Sequence, residues 1–509
     1  MNLSTEIDVA SLGGRGDDHG LTELSLAQAA KLIHNRSITP TQLTAATLRR
    51  IAASDRRLNS YISVVGEDAM AQARQLGLEQ MAGNFRGPLH GIPIALKDNI
   101  DTEGVPTTAA SGVYRDRIPA EDAEVVRRLR QAGAIIIGKL NLHEFAAGGT
   151  GHVSLFGTTR NPWDLDRVTG GSSSGSGGAV AGRLCFAALG TDTGGSIRIP
   201  SAWCGINGLK PTYGLVSIRG IVPLIYSLDH CGPMTRTAED AAIVLNALAG
   251  YDPTDPASVD HPAEDYVAAL HQPAKGFRLG APAEFYVDLD AEVASAVETA
   301  TINLSTLCEG VVSNASLPPC RDFLHFLAET QCFHEKYLGD SANLYQADTH
   351  QFLTKFPPPS ANEYIRARDH LLELRRTVDS VFGDFDLIIL PTERILPFTI
   401  EEAIASSTRA AGIDGIAPQQ WITVANTYQF NMYGLPALSL PCGFSTGGLP
   451  IGLTIAGPRF SEGKILALAA AYQKITDWHL RCPPLPLLHT SADVLRRQSN
   501  GDAKAVMAG

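Results

Sequence analysis

The sequence predicts an α/β protein. Amphipathic helices alternate with short apolar strands, as where AEDAEVVRRLRQAGA runs into AIIIGKL over 134–140. Strand material also returns near the C-terminus, in FDLIILP, LPALSLPCGF and LPIGLTIAG. Strands at both ends bracket the middle, so one large domain is expected.

In chain order, residues 1–20 read as a tail. Ser25 and then Thr39-Pro40 announce two helices, the second by an N-cap followed by proline at the first helical position. LNSYISVV alternates as a strand does, and EDAMAQARQLGLEQMAG is helical. GIPIALKDNID is an apolar strand that ends in a charged turn. Thr237 to Asp240 resembles a capping box opening the helix AAIVLNALAG. Residues 251–276 are a surface connection, and a strand, a long helix over 290–309 and a further strand follow. Residues 320–382 read as mostly helical, with Phe323, Phe326, Phe333 and Tyr337 among their aromatics. The strands LPALSLPCGF and LPIGLTIAG form a hairpin around Ser445 to Gly448, and a final helix closes the fold.

The bulk numbers exclude several classes. Of 509 residues 44% are hydrophobic and 18% charged, which suits a large core and not a disordered chain. The formal charge of −12, with no Lys/Arg-rich stripe to offset it, predicts no nucleic-acid partner. Eight dispersed cysteines, none in a CxxC, predict free thiols in a reducing, cytoplasmic setting. The N-terminal residues lack a basic start and an apolar run, so no signal peptide is expected, and no apolar run is long enough for a membrane span.

The densest chemical signal is a pair of glycine/serine clusters around the apolar run LCFAALG. A linker would not place a buried strand between two such turns. A phosphate loop lacks its GK[ST], and His143-Glu144 has no second histidine at helical spacing, so no metal is expected. Acyl transfer fits. In Thr193-Gly194-Gly195-Ser196 the glycines leave backbone amides free to converge on one point, as an oxyanion hole requires, and Ser196 stands at the end of the turn. No GxSxG elbow or partner histidine stands out. Lys97, at the end of an apolar strand, is the better base, because burial favours its neutral form.

The runs GGSSSGS…GTDTGGSIRIPSAWCGINGLKPTYG, GIPIALKDNID and SLDHCGPMTRTAEDAAIVLNALAG resemble the amidase signature family. The resemblance covers roughly 21–480 and is dense over 87–250, including the spacing of Lys97, Ser172 and Ser196. It implies a single large mixed β-sheet covered by helices on both faces. Residues 21–485 would form the amidase domain, with a signature core over 87–250, a more variable helical segment over 320–432 and a tail over 486–509.

It further implies that Ser196 is the nucleophile and that Ser172, after a cis peptide bond, bridges it to the base Lys97. Thr193, Gly194, Gly195 and Ser196 would supply the oxyanion-hole amides, with Asp192, Arg198 and Ser173 in support. Ala146, Ala147 and Gly148 fall where relatives line the acyl pocket. This chain has Ser174 where the family has glycine, and Gly177 and Gly178 where it has alanines, which touches only the start of the following helix.

The expected reaction is hydrolysis of a C–N bond in an amide, an aryl amide or a carbamate (urethane), through an acyl-enzyme and without cofactor or metal. Phe323, Phe326 and Leu327 would share one helix face, which either packs onto the core, the usual fate of an apolar stripe, or lines a wide entrance with Phe326 contacting substrate. Expected partners are a small-molecule amide or carbamate and water, with a homodimer left open. Two alternatives stand beside this: the glutamine-hydrolysing A subunit of a tRNA-dependent amidotransferase, and a non-catalytic binding or scaffold subunit that kept the fold.

Overall fold

The computed structural model describes residues 18–262, 264–312, 315–408 and 422–485. Eleven strands form one mixed sheet: β1 (Tyr61–Val64), β2 (Pro93–Lys97), β3 (Ile135–Leu140), β4 (Ala187–Asp192), β5 (Asn207–Lys210), β6 (His230–Thr235), β7 (Arg278–Gly280), β8 (Gly310–Val312), β9 (Leu387–Pro391), β10 (Ala437–Phe444) and β11 (Pro450–Ala456). Their order is β1-β3-β2-β4-β6-β5-β10-β11-β9-β7-β8. Strands β3, β2 and β4 run parallel, as do β9, β7 and β8, and the centre is antiparallel.

The apolar runs are buried on both sides because successive side chains leave a strand on opposite faces. In β2, Ile94 and Leu96 join one core and Ala95 the other; in β3, Ile136 faces the first and Ile135 and Ile137 the second. Helices Leu26–His34, Glu124–Gln131, Ala238–Leu248, Ala291–Leu307 and Glu462–Ile475 cover the first core. Helices Pro40–Leu58, Gly66–Ala82 and Ser174–Ala181 cover the second. A third core joins the strand residues Ile388, Leu390 and Ala437 to the helical segment after residue 320.

Local signals place the early helices. Ser25 and Thr39 each form a reciprocal capping box, with Gln28 and Gln42, and Pro40 occupies the first helical position. Helix Asp18–Glu23 begins inside the stretch read as tail. It is held from a distance: the Arg236 guanidinium donates to the carbonyls of Thr22 and Glu23, and Arg50 to the Thr22 hydroxyl. Residues 1–17 and 486–509 of the two tails lie outside the described residues, as do 409–421 of the variable segment.

The glycine/serine run is no linker. Residues Ser174–Ala181 form a helix buried on every side, and its small residues let neighbouring backbones approach. A Cβ at Gly175 would lie 2.3 Å from the Ser60 carbonyl oxygen and 2.5 Å from the Asn141 nitrogen. Both are backbone atoms that cannot rotate aside. Gly175→Ala is therefore expected to lose about 1–3 kcal/mol of stability by overpacking. Gly310→Ala, whose Cβ would meet nothing within 4 Å, should stay within about 0.5 kcal/mol of the parent. Urea unfolding of the two variants checks the contrast.

Candidate active site

The site sits where parallel strands β2 and β4 end side by side, which is where open α/β sheets present loops to ligands. Lys97 closes β2 and is fully buried. Its Nζ lies 2.7 Å from Ser172 Oγ and 2.7 Å from Thr191 Oγ1. The Gly171–Ser172 peptide is cis. Ser172 is clamped through its carbonyl, which accepts from the His143 amide at 3.0 Å. Ser173 joins the two serine-bearing segments: its amide donates to the Ser196 carbonyl at 3.3 Å and its hydroxyl to the Thr191 carbonyl at 3.2 Å.

The turn after β4 is built on Asp192. This buried carboxylate accepts from the Gly195 amide at 2.8 Å, the Ile197 amide at 3.1 Å and the Asn431 amide group at 2.8 Å. Arg198 meets it with a fork of two bonds, 3.0 Å from Nε and 2.9 Å from Nη2. Burial alone would raise the Asp192 carboxyl, but Arg198 and Asn431 hold it well below the usual carboxylate range. Gly195 has φ +138°, and a Cβ there would lie 2.3 Å from Thr427 Oγ1, so the turn requires glycine.

This geometry corrects one expectation about the turn. The Gly195 amide is taken up by Asp192 and does not face the cavity as an oxyanion donor. The amides of Thr193, Gly194 and Ser196 donate to no acceptor among the described residues. All three of those residues line a cavity of about 90 Å³. Ser196 is only 7% exposed.

Burial pulls the Lys97 amine down to about 7, against Asp229 and Asp192, whose negative charges favour its protonated form. A lysine so placed is largely neutral just above neutral pH and can accept a proton. Burial likewise pushes the Asp229 carboxyl up to about 7, against the Thr193 hydroxyl and two backbone amides that donate to it. His143, behind Gly148, is lowered to about 3 by burial and stays neutral.

The rest of the cavity is apolar. One wall is Ala146, Ala147, Gly148 and Gly149; the other is Leu224, Ile225, Phe323, Leu324, Leu327, Phe352 and Val424. No charged side chain lines it among the described residues. Phe145 and Ala146 enter the first wall in the left-handed region, at φ 50° and 61°, a conformation costing about 1–2 kcal/mol per residue.

Phe326 does not reach this cavity, which corrects the helix-face expectation. Residues Phe323–Phe326 form a 3-10 turn and the α-helix starts at Leu327. Phe326 is fully buried in the third core, where Tyr364 of helix Ala361–Thr377 covers its ring, while Phe323, Leu324 and Leu327 line the cavity. Thr191 and Asp229 were missed: each reads in sequence as an ordinary strand or turn residue, and only the pairing of distant strands brings them to Lys97 and Thr193.

Among the described residues no cluster of three His, Cys, Asp or Glu side chains is placed to hold a metal, and no helix is long and apolar enough to cross a membrane. All eight cysteines are free thiols.

A sequence profile of the family described as Amidase matches residues 42–466. The chain belongs to the amidase signature family, and its reaction is hydrolysis of a C–N bond. It is 39% identical over 491 residues to the A subunit of the glutamyl-tRNA(Gln) amidotransferase of Moorella thermoacetica, covering 91% of this chain and 98% of that one. Among solved structures it is similar to 6-aminohexanoate cyclic dimer hydrolase (27% identity, TM-score 0.82, 91% and 99% of the two chains). It is also similar to a bacterial aryl acylamidase of the same family (25% identity, TM-score 0.81, 92% and 100%).

These relatives overturn the expected partner set. The expectation of no nucleic-acid partner conflicts with 39% identity, over 91% of this chain, to a protein named as one subunit of a glutamyl-tRNA(Gln) amidotransferase. Net charge sums the entire surface, so it is silent about a single face or about what a partner subunit carries.

Phe326→Ala should empty a core site and cost about 3–5 kcal/mol. Phe323→Ala should cost less than about 1.5 kcal/mol, because that ring borders open space. Thermal and urea unfolding distinguish the two positions.

Proposed function

We propose that this protein hydrolyses amides with an uncharged, apolar acyl part, using Ser196 as nucleophile and Lys97 as base through Ser172. The observation that carries the reading is the 2.7 Å contact between Lys97 Nζ and Ser172 Oγ beside a lysine that burial makes neutral. In this scheme Ser196 Oγ attacks the substrate carbonyl carbon. Its proton passes to Ser172 Oγ as Ser172 gives its own to Lys97 Nζ. The negative oxygen of the tetrahedral intermediate is met by the amides of Thr193, Gly194 and Ser196. Collapse expels the amine, which takes the proton back from the Lys97–Ser172 pair. Water then attacks the acyl-enzyme by the same route in reverse. Asp192, Arg198 and Ser173 hold the turn and touch no reacting atom.

The apolar walls support the substrate class. A charged ammonium or carboxylate buried among Phe323, Leu324, Leu327 and Val424 would lose its hydration without a partner, at a cost of several kcal/mol. Aryl and aliphatic amides, and carbamates of similar shape, lose little. The relatives in sequence favour a second reading over the first: several proteins 37–39% identical to this chain are named as the A subunit of a glutamyl-tRNA(Gln) amidotransferase, and on that reading the chain would release ammonia from glutamine as one subunit of such an enzyme. Free thiols at all eight cysteines suit a reducing, cytoplasmic setting under either reading.

Ser196→Ala is expected to reduce kcat by at least about a thousandfold with an unchanged melting temperature, and Lys97→Ala by several orders of magnitude. The neutral lysine is the active form, so kcat/KM should rise about tenfold per pH unit below about 7 and level off above it. The apparent value belongs to the coupled set that includes Asp229. A flat profile from pH 5 to 9 in steady-state assays, with chemistry rate-limiting, would remove Lys97 from this role. An aryl amide should exceed glutamine at least about a hundredfold in kcat/KM; the reverse preference would establish the second reading.

A further inference from the structure

Asp229 precedes β6 and is 5% exposed. Its Oδ1 accepts from the Thr193 hydroxyl at 2.5 Å and the Ile225 amide at 3.3 Å, and its Oδ2 from the Leu224 amide at 2.9 Å. Thr193 belongs to the turn that carries Ser196, and Leu224 and Ile225 belong to the apolar wall. One carboxyl therefore ties the two halves of the cavity together.

The tie continues outward. Glu329 accepts from the Ser227 amide at 2.9 Å and hydroxyl at 2.6 Å, and the Thr330 hydroxyl donates to the Leu224 carbonyl at 2.5 Å. Both lie on helix Leu327–Leu338, whose first residue lines the cavity. The turn itself has little freedom between its supports: Asp192 pins Gly195 from one side, and Asp229 pins Thr193 from the other. The peptide between Thr193 and Gly194, which carries one of the free amides, lies between those two pins.

We propose that Asp229 is a positioning residue for acyl transfer, setting the amide-bearing turn against the wall that seats the acyl group. This rests on the reading of Ser196 as nucleophile. An asparagine at 229 keeps one acceptor oxygen but turns an NH₂ group toward a backbone or hydroxyl donor, so at least one of the three bonds is lost. The turn is then held less tightly while the cavity keeps its shape. The loss should fall on the transition state more than on binding.

The test is steady-state kinetics on an aryl amide with four variants. Asp229→Asn should lower kcat at least about tenfold with KM within about threefold. Thr193→Val cuts the same bond from the other end and should match it, and Thr193→Ser should restore kcat to within about threefold of the parent. The double variant Asp229→Asn with Thr193→Val should be no slower than the slower single one, since the two share one interaction. An unchanged kcat in either single variant, a change confined to KM, or losses that multiply in the double variant would overturn the proposal. If Asp229→Asn does not fold, the Thr193→Val and Thr193→Ser pair decides on its own. Turnover surviving in Ser196→Ala would instead bring down the nucleophile reading. An inactive Ser196→Ala beside an intact Thr193→Val would remove only the role of Asp229.

Discussion

A buried carboxylate costs several kcal/mol unless its lone pairs are met by donors or an opposite charge, and Asp192 is wholly buried at the end of β4. Its two oxygens meet the Gly195 and Ile197 amides, both edges of the Arg198 fork and Asn431. Arg198 goes on to the Thr427 carbonyl and the Asn431 side chain. Removing any of these partners would leave a charge or donor stranded in a low dielectric. This knot fixes the shape of the turn holding Ser196 and docks it onto the segment around residues 427–431, more than 200 positions away in the chain.

The cavity that opens from the turn has two characters. Behind it are titratable groups taken out of water: Lys97 is pulled toward neutrality by burial, and Asp229 is pushed toward protonation by the same cause. In front of it are alanine, leucine and phenylalanine side chains and the backbone of Gly148 and Gly149. The arrangement is consistent physically, because the apolar wall excludes the water that would otherwise restore Lys97 to its solution behaviour.

The signature elements were legible because each is a local pattern with a local cause. Thr39-Pro40 starts a helix, GIPIALK is a strand apolar on both faces, and TDTGGS is a turn that only glycine can close. Phe326 shows where local reasoning stops. The spacing of the aromatics left this face open between core and cavity, and it is Tyr364 of helix Ala361–Thr377 that covers Phe326 in the core. That cover comes from a helix more than 30 residues further along the chain, so no pattern around Phe326 contains it. The Gly195 amide is similar. A glycine turn predicts converging donors, and only the position of the Asp192 side chain shows which of them is already engaged.

The sequence by itself determined the α/β class, the strand that carries Lys97 and the turn that carries Ser196, because periodicity, capping and glycine content act over a few residues. Only the tertiary structure decided the pairing of Lys97 with Thr191, the clamp of Asp229 on Thr193 and the choice of Phe323, Leu324 and Leu327 over Phe326 as the cavity wall. Those contacts join segments 36 to more than 100 residues apart. They are set by strand order in the sheet and by helix packing over it, neither of which a local pattern contains.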